Sequence, residues 1–173
     1  GNRVKIRDIA SDQEIVQLAG HTSDVTSIVY AASARLLVSG SRDGTLRIWS
    51  VPQRRELVQL IALGPADYVA VTPDQYYRAS KRHIGGVAFR VNQQLFPFEQ
   101  FDLRFNRPDI VLERLGSTPP EIVQGYRAAY QRRVRKMGFT EQILSGEFHL
   151  PEVALAGASV PTTTDAASLK LLV

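Results

Sequence analysis

The sequence has no cysteine, one methionine, one tryptophan and three histidines among its 173 residues. Without cysteine there are no disulfides, no thiolate metal sites and no cysteine nucleophile, and three scattered histidines are too few for a His-rich metal cage. No cofactor and no metal are expected. Long apolar runs are missing too. No stretch approaches the ~20 residues of a membrane-spanning helix, and Gly1, Asn2, Arg3, Val4 and Lys5 lack the apolar core of a signal peptide. A block of one charge sign is nearly absent: 21 Lys and Arg stand against 17 Asp and Glu, and the net charge of +4 is spread along the chain. The local exception is residues 127–136, which hold Arg127, Arg132, Arg133, Arg135 and Lys136 with no acidic residue. With 44% hydrophobic and 22% charged residues the chain can bury a core, which excludes a disordered, collagen-like or coiled-coil protein.

What is present is a repeat. Val4 to Leu18 (VKIRDIASDQEIVQL) aligns without a gap onto Leu46 to Leu60 (LRIWSVPQRRELVQL), with Arg7 under Trp49, Asp8 under Ser50 and Glu14 under Glu56, and both copies end in Val-Gln-Leu. A fainter copy runs from Gly86 to Phe101 and places Phe89 under Trp49. A period near 40 residues built from short strands is the signature of a propeller. In the best copy Val25–Tyr30, Leu36–Ser39, Thr45–Val51 and Glu56–Ala62 read as four antiparallel strands, and Asp43-Gly44 supplies a pair that tolerates the positive φ of a tight hairpin. Four such strands make one blade.

Gly20-His21, Ser39-Gly40-Ser41, Asp43-Gly44 and Trp49-Ser50 together make the chain resemble the WD-repeat β-propeller family, most specifically over Leu18 to Leu60. The resemblance implies a hydrogen-bonded chain that locks the blade, formed here by His21, Ser39 (or Ser41), Asp43 and Trp49. Ser50 stands where the family's dipeptide ends in Asp. His21, Asp43 and a serine are also the residue set of a hydrolytic triad. The spacing matches the blade lock, however, and no oxyanion-type glycine turn follows either serine, so the structural role is preferred. His83 and His149 have no acid or nucleophile at a recognisable spacing, and a non-enzymatic chain is expected.

After Leu63 four weaker strand-like runs, Asp67–Thr72, Tyr76–Ser80, Gly86–Val91 and Leu95–Phe101, read as a divergent blade without the lock, held by Tyr68, Tyr76, Tyr77, Phe89 and Phe96. Beyond Pro97 the period changes from two to 3.6. Phe98, Phe101 and Phe105 mark one helix face, a short helix starts at Pro108 and stops at Gly116, and a long helix runs to Gly138. For the long helix, Thr118-Pro119-Pro120-Glu121 reads as a capping box, and Ile122, Tyr126, Tyr130, Val134 and Met137 read as its inner face.

The expected fold class is therefore mainly β, as antiparallel propeller blades in an incomplete ring, with an α-helical connector. The expected division is a partial propeller over 1–101, with one full blade at 18–63 and a divergent one at 64–101, a connector over 102–150, and an extended β segment over 151–173. The tract 67–150 has a narrower resemblance, to bacterial WD-repeat proteins in which the last blade is followed by a helical linker and a caspase-like (metacaspase-type) peptidase domain. That resemblance implies an internal piece of a longer protein, and without cysteine no catalytic residue of that family carries over. The expected function is a non-catalytic protein-interaction or scaffold module, whose partners are other proteins, neighbouring domains of a parent chain, or a second copy of itself. The alternative is nucleic-acid or anionic-surface binding through Arg127, Arg132, Arg133, Arg135 and Lys136.

Overall fold

The structure is a computed structural model and describes residues 1–80, 88–91, 94–97, 101–145, 154–155 and 171–172. Strands β1 (Arg3–Arg7) and β2 (Glu14–Ala19) form a hairpin. The main sheet has six antiparallel strands in sequence order: β3 (Val25–Ala31), β4 (Leu36–Ser41), β5 (Thr45–Ser50), β6 (Arg55–Ala62), β7 (Tyr68–Val71) and β8 (Tyr77–Ala79). A further hairpin pairs β9 (Ala88–Val91) with β10 (Gln94–Pro97), setting Phe89 opposite Phe96. Four helices follow, α1 (Asp102–Phe105), α2 (Pro108–Leu115), α3 (Pro120–Lys136) and α4 (Glu141–Ser145), and then a short ladder of β11 (Ala154–Leu155) with β12 (Leu171–Leu172). The fold is mostly antiparallel sheet with helices, as the patterning implies.

Each copy of the repeat has become a hairpin: β1 with β2, β5 with β6, and β9 with β10. The turns of the main sheet are tight. Gly44 takes φ +81 behind Asp43, and its N–H donates to the Ser41 carbonyl at 3.2 Å. Arg35, Arg54 and Gln75 close three of the other four turns with φ of 53, 53 and 73, a region that side-chain-bearing residues enter at an energetic penalty.

Two of the expectations change here. The sheet does not break at Leu63: β7 pairs with β6 from Gln59↔Val71 to Ala62↔Tyr68, so the strands expected to open a new blade extend the old one. The cause is local. Gly64-Pro65-Ala66 stands where the full repeat has Gly-His, and the Leu63 N–H bonds the Asp67 carbonyl at 2.9 Å, which turns the chain back on itself. The capping box at Thr118 does not form either. Pro119 is the N-cap residue and no side chain bonds the helix start. Pro119 itself precedes a proline, which keeps it extended at φ −53 and ψ 138, so the helix starts at Pro120 and the N-cap position falls on a residue with no side-chain acceptor rather than on Thr118.

Three apolar clusters hold the elements together. Val4 and Leu18 of the first hairpin pack with Leu37 and Trp49, as one blade packs on the next. Val111 of α2 packs with Leu57, Val58 and Ala70. Phe101 packs with Val69 and Tyr77, with Phe105 against them. Of the aromatic group expected to hold the region after Leu63, Tyr77 is fully buried; the side chains of Phe89 and Phe96, and all of Phe98, lie outside the described residues. The helices therefore cover the β7–β8 end of the sheet. At the other end Ile28, Val29 and Tyr30 of β3 are each more than half exposed.

Two stability changes follow. Thr118→Ala leaves the midpoint of a urea melt unchanged to within about 0.5 kcal/mol, as for a surface site away from any cap. Arg54→Gly raises stability by about 0.5–1 kcal/mol, because glycine takes the positive φ at no steric penalty; the same melts measure both.

Candidate interaction site and its polar network

The structure brings His21, Ser39, Asp43 and Trp49 together. Trp49 Nε1 donates to Ser39 Oγ at 2.9 Å, His21 Nε2 lies 2.8 Å from the same oxygen, and His21 Nδ1 lies 2.8 Å from Asp43 Oδ2. Counting donors fixes the directions. Ser39 Oγ accepts from Trp49, and its one proton goes to Nε2, so the imidazole is the Nδ1–H tautomer donating to Asp43. Asp43 also accepts from the Thr22 and Thr45 N–H groups and from the Thr45 hydroxyl at 2.6 Å. Ser41, the other candidate serine, instead donates to the Ser23 carbonyl and accepts from the Asp43 N–H.

Burial is the largest influence on the Asp43 carboxyl and disfavours its charge. The hydrogen bonds from Thr45, His21 and the two backbone N–H groups outweigh it and hold the carboxyl well below the usual range. Asp, His and Ser are connected as in a hydrolytic triad, but Ser39 has no exposed surface, its oxygen is already engaged by Trp49, and Gly40 behind it is paired within the sheet to Ser27 and Leu46. A substrate carbonyl has no approach to it.

An ion pair beside this network recurs in both copies of the repeat. Lys5 and Glu14 in the first copy correspond to Arg47 and Glu56 in the second, and both pairs close across their hairpins, at 3.2 Å and 2.5 Å. The first is solvent-exposed and the second largely buried. Gly20 is needed for that burial, since a Cβ there would lie 2.7 Å from Arg47 Nη1 and 3.1 Å from Trp49 Cη2.

A second network fastens the helices to the sheet. Tyr77 on β8 donates through its hydroxyl to Asp102 Oδ1 at 2.5 Å, Asn106 Nδ2 donates to the same oxygen at 2.8 Å, and Arg133 Nη1 reaches Asp102 Oδ2 at 3.0 Å. Arg107 makes a two-pronged pair with the fully buried Asp109, at 2.9 and 2.8 Å, while its guanidinium lies 4.0 Å from the centre of the Tyr130 ring. Although burial opposes it, this pairing keeps the Asp109 carboxyl below its ordinary range. Arg127 bonds Glu113 at 2.8 Å and lies 3.5 Å from Asp109, and Arg114 pairs with Asp74 in the β7–β8 turn. Two of the five cations expected to form one anion-binding surface, Arg127 and Arg133, are thus engaged within the fold; Arg132, Arg135 and Lys136 are exposed. The helix turns part of the expected face inward: Tyr130 and Val134 are buried, together with Val123, whereas Ile122, Tyr126 and Met137 are not. Among the described residues no three His, Asp or Glu side chains are grouped to hold a metal, and no helix is long and apolar enough to cross a membrane.

Comparison with known families places a WD domain, G-beta repeat over residues 12–50. That segment is similar to a single WD domain, G-beta repeat, and makes up less than a quarter of the chain. It contains His21, Ser39, Asp43 and Trp49. The chain is similar to Pre-mRNA-processing factor 19 of Bos taurus, 34% identical over 103 residues that make up 53% of this chain and 20% of that protein. It is also similar to the Periodic tryptophan protein 2 homolog of Neurospora crassa, 32% identical over 87 residues, 50% of this chain and 10% of that one. WD40 repeat-containing protein HOS15 of Arabidopsis thaliana is 56% identical over 36 residues, 21% of this chain and 6% of that protein. The chain spans a fifth or less of the length of these relatives, all of them eukaryotic.

The network of His21, Ser39, Asp43 and Trp49 yields a prediction with a sign. The folded state holds Asp43 ionised more firmly than the unfolded chain does, so its contribution is complete above the ordinary carboxylate pKa of about 4 and is lost as pH falls toward the lower folded value. Asp43→Ala destabilises the chain by about 1–3 kcal/mol at neutral pH, through the buried His21 donor left without its acceptor. Urea melts near neutral pH and near pH 3 show the gap to the parent chain narrowing in acid; a gap independent of pH would contradict the ionised lock.

Proposed function

We propose that this chain is a non-catalytic protein-interaction or scaffold module made of WD40 propeller blades and a helical connector, with His21, Ser39, Asp43 and Trp49 as its structural lock. The observation that carries the reading is the uncovered β3: Ile28, Val29 and Tyr30 stand more than half exposed at the edge of the main sheet. Apolar residues so grouped mark a contact surface. The partner class is protein, either a neighbouring domain or a second copy of the chain. Val29→Lys tests this. Light scattering at dilute and concentrated conditions, together with crosslinking in the native host, records association by the parent chain and its loss in the variant; a strict monomer with identical crosslinks in both proteins rejects the reading.

On the finer reading, the tract 67–150 is the junction of last blade and helical linker in a WD-repeat protein whose propeller regulates a caspase-like peptidase, as its resemblance to the bacterial proteins implies. The coding sequence flanking this segment tests that reading, and the absence of a downstream His and Cys in a caspase-like setting rejects it. The alternative of nucleic-acid or anionic-surface binding is left with Arg132, Arg135 and Lys136, since Arg127 and Arg133 are bonded internally. Three phosphate contacts give a slope of log affinity against log salt no steeper than about −3. A titration of an oligonucleotide at several salt concentrations measures it.

A further inference from the structure

Helix α3 carries a wider apolar face than the fold buries. Beside the buried Val123, Tyr130 and Val134 runs a second stripe of Ile122, Tyr126, Ala129, Arg133 and Met137, at i, i+4, i+7, i+11 and i+15. Ile122 is 50%, Tyr126 38% and Met137 61% exposed, and Ala129 is exposed. At 1.5 Å per residue the stripe is roughly 22 Å long, four turns of helix. Nothing overlies Gly125 on its flank, since a Cβ built there meets no atom within 4 Å. Spacings of four and three along a straight helix are those by which one helix seats against another, and small residues at such a contact let the two axes come close.

The stripe has an anchor point. Tyr126, Ala129 and Arg133, together with Asn106, Pro108 and Tyr130, line a groove of about 240 Å³. That lies below the roughly 300–1,000 Å³ of small-molecule pockets and suits one large apolar side chain. Past Glu121 in the first turn, the exposed charges that the helix carries beside the stripe are basic, and the one carboxylate that reaches the stripe, Asp102, is taken up by Arg133. Arg132 and Lys136 stand exposed beside it at i and i+4, and residues 122–140 contain no acidic side chain. Opposite charge on the visitor would steer and orient it, while a basic one would be repelled.

We propose that the Ile122–Tyr126–Ala129–Met137 stripe, with the groove beside Pro108 and the flanking Arg132 and Lys136, is a docking surface for an acidic amphipathic helix of a partner protein. An apolar side chain of the visiting helix fills the groove, its neighbours lie along Ala129 and Ile122, and its carboxylates face Arg132 and Lys136. The surface is separate from β3. It rests on the interaction-module reading only in requiring a protein partner.

The test uses the full chain and a fluorescently labelled 18-residue peptide with leucine at i, i+4, i+7 and i+11 and glutamate on both flanks, followed by anisotropy. Saturable binding is expected. It weakens at least tenfold in Arg132→Glu/Lys136→Glu, weakens similarly in Ala129→Arg, which blocks the stripe without touching the core, and is missing for the same peptide with lysine flanks. Circular dichroism shows that both variants are folded. Failure of the acidic peptide to bind, equal binding of the lysine-flanked peptide, or undiminished binding to the variants overturns the proposal. So does binding of an oligonucleotide or of anionic lipid vesicles while the peptide is silent, which reassigns the cations to a polyanion. Self-association that Ala129→Arg abolishes reassigns the stripe to a second copy. The Val29→Lys comparison at β3 reads the scaffold function independently, so the two can fail separately.

Discussion

The hydroxyl of Ser39 is the point on which the best-formed part of this structure depends. It is wholly enclosed, and a buried hydroxyl without partners would be costly, yet it meets the indole of Trp49 on one side and the imidazole of His21 on the other. Through His21 the same line of bonds reaches Asp43, and through Asp43 it fixes the turn before β5. Strand β4, strand β5 and the loop before β3 are thereby set in one geometry by directional bonds, with Trp49 also closing the apolar contact to Val4 and Leu18. Packing alone tolerates alternatives; a chain of buried polar groups, each with one acceptor for its proton, tolerates far fewer.

Where that line of bonds is missing, the chain behaves differently. Beyond Leu63 there is no histidine to enter a new blade, and the strands add to the existing sheet by plain hairpin pairing. The order there comes from the helices. Phe101 fills the space against Val69 and Tyr77, Asp102 gathers Tyr77, Asn106 and Arg133, and Asp109 gathers Arg107 and Arg127. Each hub is an acidic residue in or beside the first turn of a helix, where the peptide dipoles favour negative charge.

Much of the repeat region was legible, because turn chemistry and alternation act over a few residues. Asp43-Gly44, the strands from Val25 to Ala62 and the stops at Gly116 and Pro108 could be read directly. The paired Lys5–Glu14 and Arg47–Glu56 bridges were present in the alignment of the two copies and needed only the hairpin register to be seen. The rest was set at longer range. Which flank of α3 turns inward depends on where α1 and α2 place Asp102 and Asp109, the first of them 25 positions from Tyr77 and 31 from Arg133, and Arg127 and Arg133 look like surface cations until those carboxylates are located. At Thr118 the local pattern was complete but misleading, since the second of two successive prolines holds the first out of the helix and moves the N-cap position onto Pro119.

The two ends of the main sheet are unlike. At β8 the connector lies along the edge, with Asn106 bridged to Tyr77 and the Arg107 N–H bonded to the Tyr77 carbonyl at 3.0 Å, while among the described residues β3 begins the strand order with its outer side unclaimed beyond the bond from Val25 to Gly1. A sheet that can be lengthened from one side only cannot propagate. If two molecules meet through that side, β3 against β3 about a twofold axis, the joint sheet is finished on both flanks and growth stops at a pair, whereas a sheet open at both ends could run on into a fibre. In such a pair the helices after residue 101 would act on assembly as well as on folding, because they lie along the opposite edge of each sheet.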